Sequence, residues 1–531
     1  MSARFGSALA VFAAIALVAI FLHGPIPLYS TRTLGVAWEM WARGDFILPV
    51  QNGLPYSHKP PTLYWLIHSG WALFGVSDVW PRVLVVLLAA TAGGLTVRLA
   101  ARLDSKQAAT PAMAAWILLS GVYFFLFAQQ IMFELLLVIA VLLCWLSALG
   151  MIRGERHAAF KLAASMALGL LTKGPVIYLH VLPGLLLLPW VAARCAQTLP
   201  AHWRRSVLLC ALGAALLALC WAVPAALKAG SAFAQQLLIE QTTGRVTQAF
   251  DHARPLWWYL PWLLVLGSPW VWQRSSWRAA RIATRAPLQF PSALLLAWCV
   301  PAFVGFCLVS GKQVYYLLPL MPALAILLAR GLNGVAVSRP WLLCALFALL
   351  GLALLAFSQG LLAGGESRNW HAGLQAHSLA AGLAVLLIAG LLLIPCASSA
   401  ARTALTASAT LSLLLILKLL FTLSAWPAFD LAPAAAKIAA LSEKGHRLAS
   451  IEYYEGQYHF AARLTQPIVQ LKRDQAMVDA WAQAHPQDYL LVYPTKPTVC
   501  AIKPAYRQAF RNQQLEIWRA ADWRQCGLPL G

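Results

Sequence analysis

A short polar stretch, YSHKPPTLYW, interrupts an otherwise apolar chain at residues 56–65. His58 and Lys59 precede two prolines there, and a lysine directly before two prolines cannot lie inside a regular helix. Its side chain is therefore presented from a rigid, extended corner, where an ammonium group could bind a phosphate. The alternative is a lysine that anchors an ordinary turn at a membrane interface.

Further cationic and phenolic side chains lie in the connections between apolar runs. They are Lys173 in LLTKGPVIY, Lys312 and Tyr315 in GKQVYY, and Arg245 in GRVTQAFDHARP. Each alone is consistent with ordinary anchoring at the membrane surface. If they converge on one face, they form a site for a lipid that carries a phosphate or pyrophosphate.

Carboxylates are scarce before the last hundred or so residues, and an ionisable group at membrane depth is costly enough to indicate function. The acidic residues of this region are Glu39, Asp45, Asp78, Asp104, Glu134, Glu155, Glu240, Asp251 and Glu366. The charge distribution assigns Asp104 and Glu155 to the cytoplasm. Any catalytic carboxylate on the outer face must therefore come from the others.

The elements that position these groups are membrane helices. With 531 residues, 60% of them hydrophobic and only 11% charged, the chain is too apolar for a soluble enzyme. Apolar stretches long enough to span start near residues 7, 82, 110, 132, 158, 175, 205, 256, 289, 315, 340, 379 and 404, which predicts a polytopic α-helical protein with about 13 transmembrane helices. The first of them is interpreted as a retained signal anchor. With the N-terminus inside, the arginine-rich connections face the cytoplasm, so much of the +22 charge reflects topology and not nucleic-acid binding.

An odd number of spans leaves the polar tail on the outer face. We predict a membrane domain at residues 1–426, with an amphipathic first outer loop at 24–80, and a separate outer domain at 427–531. In the tail, strand-like RLASIEYY, QPIVQL, DYLLVYP and LEIWRA alternate with helix-like stretches, which predicts a small α/β fold. Cys500 and Cys526 are the only cysteines of the tail, so a disulfide between them is expected if that compartment is oxidising.

Four motifs carry a resemblance to a known family. GDFILPVQNGLPYSHKPPTLYWLI, GLLTKGP, GRVTQAFDHARPLWWYLP and KQVYYLLPLMPALA occur in this order along the chain. In order and approximate spacing they resemble the polytopic GT-C glycosyltransferases of the ArnT and protein-mannosyltransferase type, glycosyltransferase family 39. The resemblance extends from the first span to the last.

The resemblance implies a transferase that moves a sugar from a polyprenyl-phosphate carrier to an acceptor at the outer face of the bacterial inner membrane. Lipid A or another envelope glycan is the expected acceptor, ahead of secreted protein, and the sugar cannot be identified. Lys59 is similar to the lysine that contacts the lipid phosphate. The other residues implied in substrate binding are Tyr56, Arg32, Lys173, Arg245, Lys312 and Tyr315. The catalytic cavity is expected between the first outer loop, the fourth span and the loop with Arg245, and the tail is expected to lie over it.

The resemblance also implies a metal site. In ArnT-like members a glutamate before the equivalent lysine, with a histidine in a later loop, can hold zinc. His58 and His252 occupy these places here. Two imidazoles could share a divalent metal such as zinc, although two ligands are a weak signal.

The chain departs from the family where an early acidic pair, in a pattern like D-E-x-R, falls on Tyr29 and Ser30. Only Arg32 of that pattern remains, together with the second family acid, Glu134. A carboxylate that takes the proton of a hydroxyl acceptor contributes on the order of 10²–10⁴-fold, whereas a phosphate acceptor is already anionic and needs no base. Three explanations stay open: Glu134 or Asp45 does the catalytic work, the acceptor is a phosphate, or transferase activity is lost.

Two rival functions follow from these observations. A transporter or flippase for a lipid-linked substrate would also have many spans, but it predicts internal repeats and polar residues at the membrane midplane. No repeat is visible in the sequence, and the polar groups gather at one face. A catalytically degenerate lipid-phosphate-binding protein fits the missing acidic pair but gives no reason for Glu134 and the basic residues.

Overall fold

The computed structural model describes residues 2–104, 107–237, 254–361 and 371–527, and it is mostly helical. Leucine- and alanine-rich runs form helices because a helix satisfies its backbone hydrogen bonds internally, as lipid requires. Within these ranges nine helices are long and apolar enough to cross a membrane. They are Val79–Leu103, Glu134–Ile152, Val176–Arg194, Trp203–Ala229, Phe290–Leu308, Val314–Asn333, Trp341–Ser358, His371–Leu391 and Ser399–Ser424.

The other four predicted spans are also helical but fall short of eighteen apolar residues in the described ranges. They are the apolar part Gly6–Phe21 of the helix Ser2–Phe21, then Thr110–Ser120, Ala158–Lys173 and Leu256–Leu266. The polytopic helical class is thus confirmed, while the count of thirteen spans stays a prediction. The remaining helices are Ser30–Arg43, Thr62–Phe74, Val122–Phe127, Ser231–Gln235, Arg274–Arg285, Ala432–Glu443, Gln475–Ala484 and Ala520–Gln525. Short 3₁₀ turns occur at Leu256–Trp258, Trp270–Trp272, Val314–Leu320 and Trp426–Ala428.

The chain divides into two compact units. The bundle unit comprises Met1–Ile20, Ser57–Leu352 and Gly382–Ile416, and the loop–tail unit comprises Phe21–Tyr56, Ala353–Ala381 and Leu417–Gly531. The predicted domains at 1–426 and 427–531 stay a prediction, since the first part of the outer loop, Ala353–Ala381 and the residues from Leu417 onward group with the tail here.

Ion pairs fix one end of the bundle unit. Arg102 pairs with Glu155 at 3.1 Å, and Arg330 pairs with Asp104. The helix Glu134–Ile152, which is buried over most of its length, runs from the opposite end to this one. Asp104 and Glu155 therefore form structural ion pairs at the end of the bundle unit opposite to Glu134.

The tail of the loop–tail unit folds as a five-stranded mixed sheet. Its strands are Leu448–Ser450 (β3), Val469–Gln470 (β4), Tyr489–Val492 (β5), Tyr506–Phe510 (β6) and Gln513–Arg519 (β7), and the outer loop adds a hairpin of Val50–Gln51 (β1) and Leu54–Pro55 (β2). The sheet order is β4-β3-β5-β7-β6, parallel from β4 to β5 and antiparallel from β5 to β6. This confirms the predicted α/β fold of the tail; β6 was missed because YRQAF lacks a clear polar–apolar alternation.

Apolar residues cover both faces of this sheet and form two cores. Leu491 and Ile517 face the first core, whereas Leu490 and Trp518 face the second, as the alternation of side chains along a strand requires. Cys500 and Cys526, whose pairing the sequence left conditional, form a disulfide beside the second core, with their Cα atoms 5.9 Å apart.

Backbone-directed hydrogen bonds join the outer loop to the tail within the loop–tail unit. Asn52 Nδ2 donates to the carbonyl of Ile468 at 2.9 Å, and the Ile468 N–H donates back to Asn52 Oδ1 at 2.8 Å. Trp38 Nε1 donates to the Leu464 carbonyl at 2.9 Å. Gly35 allows close approach, since a Cβ there would lie 2.5 Å from the carbonyl oxygen of Gly456.

Candidate active site

The first predicted carboxylate, Glu134, begins the helix Glu134–Ile152. The neighbouring helix Ala158–Lys173 ends at Lys173, where Gly174 takes a φ of 73° that favours glycine. Lys173 Nζ lies 2.8 Å from Glu134 Oε1, and each side chain is only 5% exposed. Two residues that the sequence indicated separately thus form one buried ion pair.

Two tyrosine rings lie next to the ammonium group of this pair. Lys173 Nζ is 5.1 Å from the ring centroid of Tyr315 and 4.5 Å from that of Tyr316. A cation near an aromatic face is attracted by the ring quadrupole. The structure therefore brings three predicted site residues together, Glu134, Lys173 and Tyr315, and adds Tyr316, which had no predicted role.

Lys312 holds the segment that carries these tyrosines. Lys312 is 2% exposed, and its ammonium group donates to the backbone carbonyls of Val309 and Arg254, the latter at 3.0 Å. The Tyr259 hydroxyl donates to the Gln313 carbonyl at 3.1 Å. Two of the three N–H donors of Lys312 therefore fix the backbone, and its predicted contact with a phosphate stays a prediction.

The proline corner lies where the sequence predicted it, in a bend outside any helix. Lys59 is half-buried and His58 is exposed. The helix Thr62–Phe74 begins directly after the corner, and Thr62 Oγ1 donates to the carbonyl of Leu171 at 2.6 Å. Because Leu171 precedes Lys173 by two residues, this bond ties the corner to the helix that carries Lys173.

Three predicted residues lie in the loop–tail unit. Arg32 Nη1 pairs with Glu455 Oε2 at 3.1 Å. Asp45 Oδ1 accepts the backbone N–H groups of Ile47 at 3.1 Å and Leu48 at 3.3 Å, so this carboxylate stabilises the turn that follows its helix. Tyr56 is buried, and its N–H closes the hairpin by donating to the Pro49 carbonyl at 2.8 Å.

The positions of the missing acidic pair also lie in this unit. Tyr29 directly precedes the helix Ser30–Arg43 and is 38% exposed, whereas Ser30 is buried. Neither side chain can act as a carboxylate. Of the candidates that the sequence offered to replace the pair, Asp45 has an evident structural task, and Glu134 is held in an ion pair.

Glu39 stayed among the possible outer-face carboxylates in the sequence but was assigned no role, and it is buried. Its oxygens accept the N–H groups of Asn52 at 2.6 Å and Gly53 at 2.8 Å, and His459 Nε2 lies 3.8 Å from Oε1. The opposite ring nitrogen of His459 is 2.7 Å from the hydroxyl of Tyr454. The Asn-Gly turn was visible in the sequence, but nothing local indicated that a histidine more than 400 residues later would reach it.

Burial governs the protonation of this pair. It raises the pKa of the Glu39 carboxyl, against the opposing effects of the two N–H groups and of the Arg43 charge. It lowers the pKa of the His459 imidazole to about 4, and the nearby Arg43 guanidinium lowers it further. At neutral pH His459 is therefore neutral.

Arg245 and His252 lie outside the described residues. Among the residues that are described, no group of three or more His, Cys, Asp or Glu side chains could hold a metal. Because His252 is outside the described residues, the metal site at His58 and His252 stays a prediction.

Known proteins resemble this chain in sequence over part of its length. No family model matches the chain. An undecaprenyl phosphate-alpha-4-amino-4-deoxy-L-arabinose arabinosyl transferase of Edwardsiella ictaluri is 30% identical over 345 residues, which are 61% of this chain and 59% of that protein. The transferase of the same name from Pseudomonas aeruginosa is 30% identical over 366 residues, 66% of this chain and 65% of its own. The chain thus spans less than two thirds of the length of either relative.

Solved structures share the fold over nearly the whole length. The crystal structure of ArnT from Cupriavidus metallidurans bound to undecaprenyl phosphate has a TM-score of 0.77 at 20% identity, covering 96% of this chain and 97% of that one. The apo form of the same protein has a TM-score of 0.75 at 18% identity. The helical bundle with its small sheet domain is therefore a membrane protein of the GT-C fold. Within that class its fold is similar to that of ArnT and its sequence to those of the two arabinosyl transferases, which confirms the resemblance found in its motifs.

Proposed function

We propose that this protein transfers a sugar from a polyprenyl-phosphate carrier to lipid A or another envelope acceptor. The observation that carries the proposal is the buried Glu134–Lys173 pair beside Tyr315 and Tyr316. A membrane protein that only needed stability would gain little from such a pair, because removing two charges from water costs about as much as their attraction returns. The likeness to ArnT, whose crystal structure holds undecaprenyl phosphate, supports the choice of donor.

In the proposed reaction the bond between the anomeric carbon and the carrier phosphate breaks, and the acceptor oxygen forms a new bond to that carbon. The carrier phosphate leaves with the bonding electrons as an anion. Cationic side chains stabilise this developing charge, and Lys59 and Lys173 are the candidates. Arg245, Lys312, Arg32, Tyr56 and Tyr315 are proposed as further substrate-binding residues.

The ion pair gives Lys173 a second task. While the site is empty of donor, the ammonium group compensates the charge of Glu134 at 2.8 Å. A bound phosphate would compete for the same N–H donors, and the carboxylate would then be available to an acceptor hydroxyl. Glu134 would accept the proton of that hydroxyl as it attacks.

A phosphate acceptor makes a different prediction, because it has no proton to lose. Glu134 would then orient the substrate or balance Lys173, and its removal would cost little in rate. This contrast separates two of the explanations for the missing acidic pair. Asp45 stays an alternative carboxylate, but because its side chain accepts the N–H groups of Ile47 and Leu48 we expect its replacement to affect transfer less than that of Glu134.

We place the protein in the bacterial inner membrane, with the tail in the periplasm. The Cys500–Cys526 disulfide supports this location, since such bonds persist in oxidising compartments. The arginines of the connections that follow even-numbered spans support the opposite, cytoplasmic placement of those connections. Labelling of cysteines introduced at exposed tail positions with a membrane-impermeant maleimide, in a Cys500→Ser/Cys526→Ser background, tests the orientation.

The transferase proposal is tested with membranes containing the wild type, Lys59→Ala, Glu134→Gln, Lys173→Met or Asp45→Asn. Radiolabelled polyprenyl-phosphate sugars serve as donors, and lipid A with or without its phosphates serves as acceptor. We expect Lys59→Ala and Lys173→Met to reduce transfer strongly and Asp45→Asn to reduce it little. Glu134→Gln should lose on the order of 10²–10⁴-fold with a hydroxyl acceptor. Wild-type membranes that transfer no sugar from any donor would contradict the proposal.

A further inference from the structure

The 3₁₀ turn Val314–Leu320 carries Tyr315 and Tyr316, the two rings beside the ammonium group of Lys173. Runs of 3₁₀ longer than three or four residues are uncommon, because their hydrogen bonds are poorly aligned. This one has seven residues and includes Pro319, which has no N–H to donate. Support from outside the turn is therefore expected.

Two buried tyrosines from other elements supply that support. Tyr123 lies in the helix Val122–Phe127 and donates its hydroxyl to the Val314 carbonyl. Tyr259 begins a short helix and donates its hydroxyl to the Gln313 carbonyl at 3.1 Å. The two bonds end on adjacent carbonyls, at the point where the chain enters the turn.

Both tyrosines are connected to the rings of the turn. The Gln313 carbonyl that accepts the Tyr259 hydroxyl also accepts the N–H of Tyr316 at 3.1 Å. The ring of Tyr123 lies 4.9 Å from that of Phe127, which lies 6.0 Å from the ring of Tyr315. These separations lie in the range of favourable aromatic contacts. A displacement of either tyrosine would therefore reach a ring beside Lys173.

The hydroxyl groups distinguish these two residues from residues that only fill space. A buried hydroxyl costs free energy unless it is hydrogen bonded, and phenylalanine would bury a ring of similar size without that requirement. Both hydroxyls bond to the backbone beside the candidate active site. This placement indicates that they hold the turn as well as pack against it.

We propose that Tyr123 and Tyr259 are positioning residues for the sugar transfer, an inference that rests on the proposed function. Their two hydrogen bonds hold the rings of Tyr315 and Tyr316 next to the Lys173 ammonium group. Lys173 is thereby held in place before negative charge develops on the leaving phosphate. A charge that is already in position stabilises a transition state without rearrangement, and a misplacement of about 1 Å can cost on the order of 10²-fold in rate.

The first test measures transfer of a radiolabelled polyprenyl-phosphate sugar by the purified full-length protein. Tyr123→Phe and Tyr259→Phe should each lower kcat by roughly 10-fold, and the double variant by up to about 100-fold. KM for the donor should change by less than about threefold, because the stabilised charge is largest in the transition state.

Tyr178→Phe is the matched control. The Tyr178 hydroxyl also donates to a backbone carbonyl in the bundle unit, that of Ala211 at 2.7 Å, but it has no part in holding the turn. This variant should keep the kcat and KM of the wild type. Wild-type kcat in Tyr123→Phe/Tyr259→Phe, or an equal loss in Tyr178→Phe, would overturn the inference.

The effects of the tyrosines and of the rings should also be non-additive. In a Tyr315→Leu/Tyr316→Leu background there is no ring left to position, so Tyr123→Phe/Tyr259→Phe should lower kcat by less than about twofold more. A further loss as large as that in the wild-type background would assign the two hydroxyls to general stability and overturn the positioning role.

A third measurement does not depend on activity. In ¹⁹F NMR of protein labelled with 3-fluorotyrosine, Tyr315→Phe and Tyr316→Phe identify the two ring resonances, which should shift in Tyr123→Phe/Tyr259→Phe and stay in place in Tyr178→Phe. Resonances that do not move in the double variant would overturn the inference even if the wild type transfers no sugar. If they move but no donor is used, the proposed function fails while the placement of the rings by the two hydroxyls stands.

Discussion

At the scale of single residues, the proposed chemistry depends on oppositely charged side chains that are held in ion pairs. Lys173 and Glu134 compensate each other in the bundle unit, and Arg32 and Glu455 do so in the loop–tail unit. The first pair is the more deeply buried, at 5% exposure for each side chain. Removing one partner of such a pair leaves a charge that neither water nor protein compensates.

Lys173→Met should therefore lower stability by about 3–5 kcal/mol. The double variant Glu134→Gln/Lys173→Met removes both charges and should recover most of that loss. The melting temperature of the detergent-solubilised protein measures both effects. If the single and double variants lose the same stability, the two side chains do not act as a pair.

His459 makes the stability of the loop–tail unit depend on pH. Its folded pKa of about 4 lies below the usual value near 6.5, so the unfolded chain binds the proton first as the pH falls. Stability is therefore lost as the pH falls from about 6.5 to 4, by up to about 3 kcal/mol. The contribution of Glu39 to stability changes in the opposite direction with pH. Because burial raises the pKa of its carboxyl, this stabilisation declines as the pH rises above about 4.5.

The difference between the wild type and His459→Gln isolates the histidine. The melting temperature of the variant should fall less than that of the wild type between pH 7 and pH 4.5. His377→Gln removes an exposed imidazole and should keep the wild-type slope. A slope that His459→Gln leaves unchanged would show that another group is responsible.

At the scale of elements, close backbone contact decides how the outer loop is held. The helix Ser30–Arg43 reaches the tail at Gly35, where a Cβ would lie 2.5 Å from the backbone oxygen of Gly456. A backbone atom cannot rotate out of the way as a long side chain can. This contact matters more than the gain in helix propensity that alanine would bring, which is about 1 kcal/mol.

Gly35→Ala should therefore destabilise the protein, by about 1–3 kcal/mol after the local shift. Gly390→Ala is the matched control, since Gly390 also lies in a helix but a Cβ added there would meet no atom of the described residues within 4 Å. That variant should be neutral or slightly more stable. Chemical denaturation with tryptophan fluorescence compares the two, and an equal response would contradict the close contact.

At the scale of the whole molecule, the stability of the tail depends on a disulfide bond as well as on its two apolar cores. The Cys500–Cys526 bond closes a loop with a sequence separation of 26 residues beside the second core. Constraining a loop of that length in the unfolded chain is worth about 3 kcal/mol. The reduced protein should be correspondingly less stable.

Cys500→Ser/Cys526→Ser should lower the free energy of unfolding by that amount, and dithiothreitol should destabilise the wild type equally but leave the double variant unchanged. Urea denaturation with and without the reductant measures both. A response of the double variant to dithiothreitol would assign the effect to another cysteine.

Much of this molecule follows from local sequence. The apolar runs predicted helices at all thirteen starts, and four strand-like stretches of the tail contain β3, β4, β5 and β7. The Asn-Gly turn and the proline corner lie where local backbone chemistry puts them. These features depend on residues that are adjacent in the sequence, so they can be predicted from it.

Pairings across the chain could not be predicted in the same way. Glu134 and Lys173 were each indicated by position at a span end, but their mutual contact depends on how two helices pack. Glu39 and His459 meet only because the outer loop folds with the tail, whereas the sequence grouped that loop with the spans. Such pairs cannot be recognised from the sequence because the two partners are far apart along the chain.

The hydrogen bonds that Asn52 exchanges with Ile468 join residues 416 positions apart. During synthesis at about 5–20 residues per second, the loop waits roughly 20–80 s for this partner. Throughout that time Asn52, Trp38 and Gly35 have no tail to meet, and the nascent loop must remain hydrated or rest on lipid headgroups. The tail, which is synthesised last, thus supplies the hydrogen-bond partners of a loop that is synthesised early. If translation stops before the tail is made, the polar groups of that loop lack these partners.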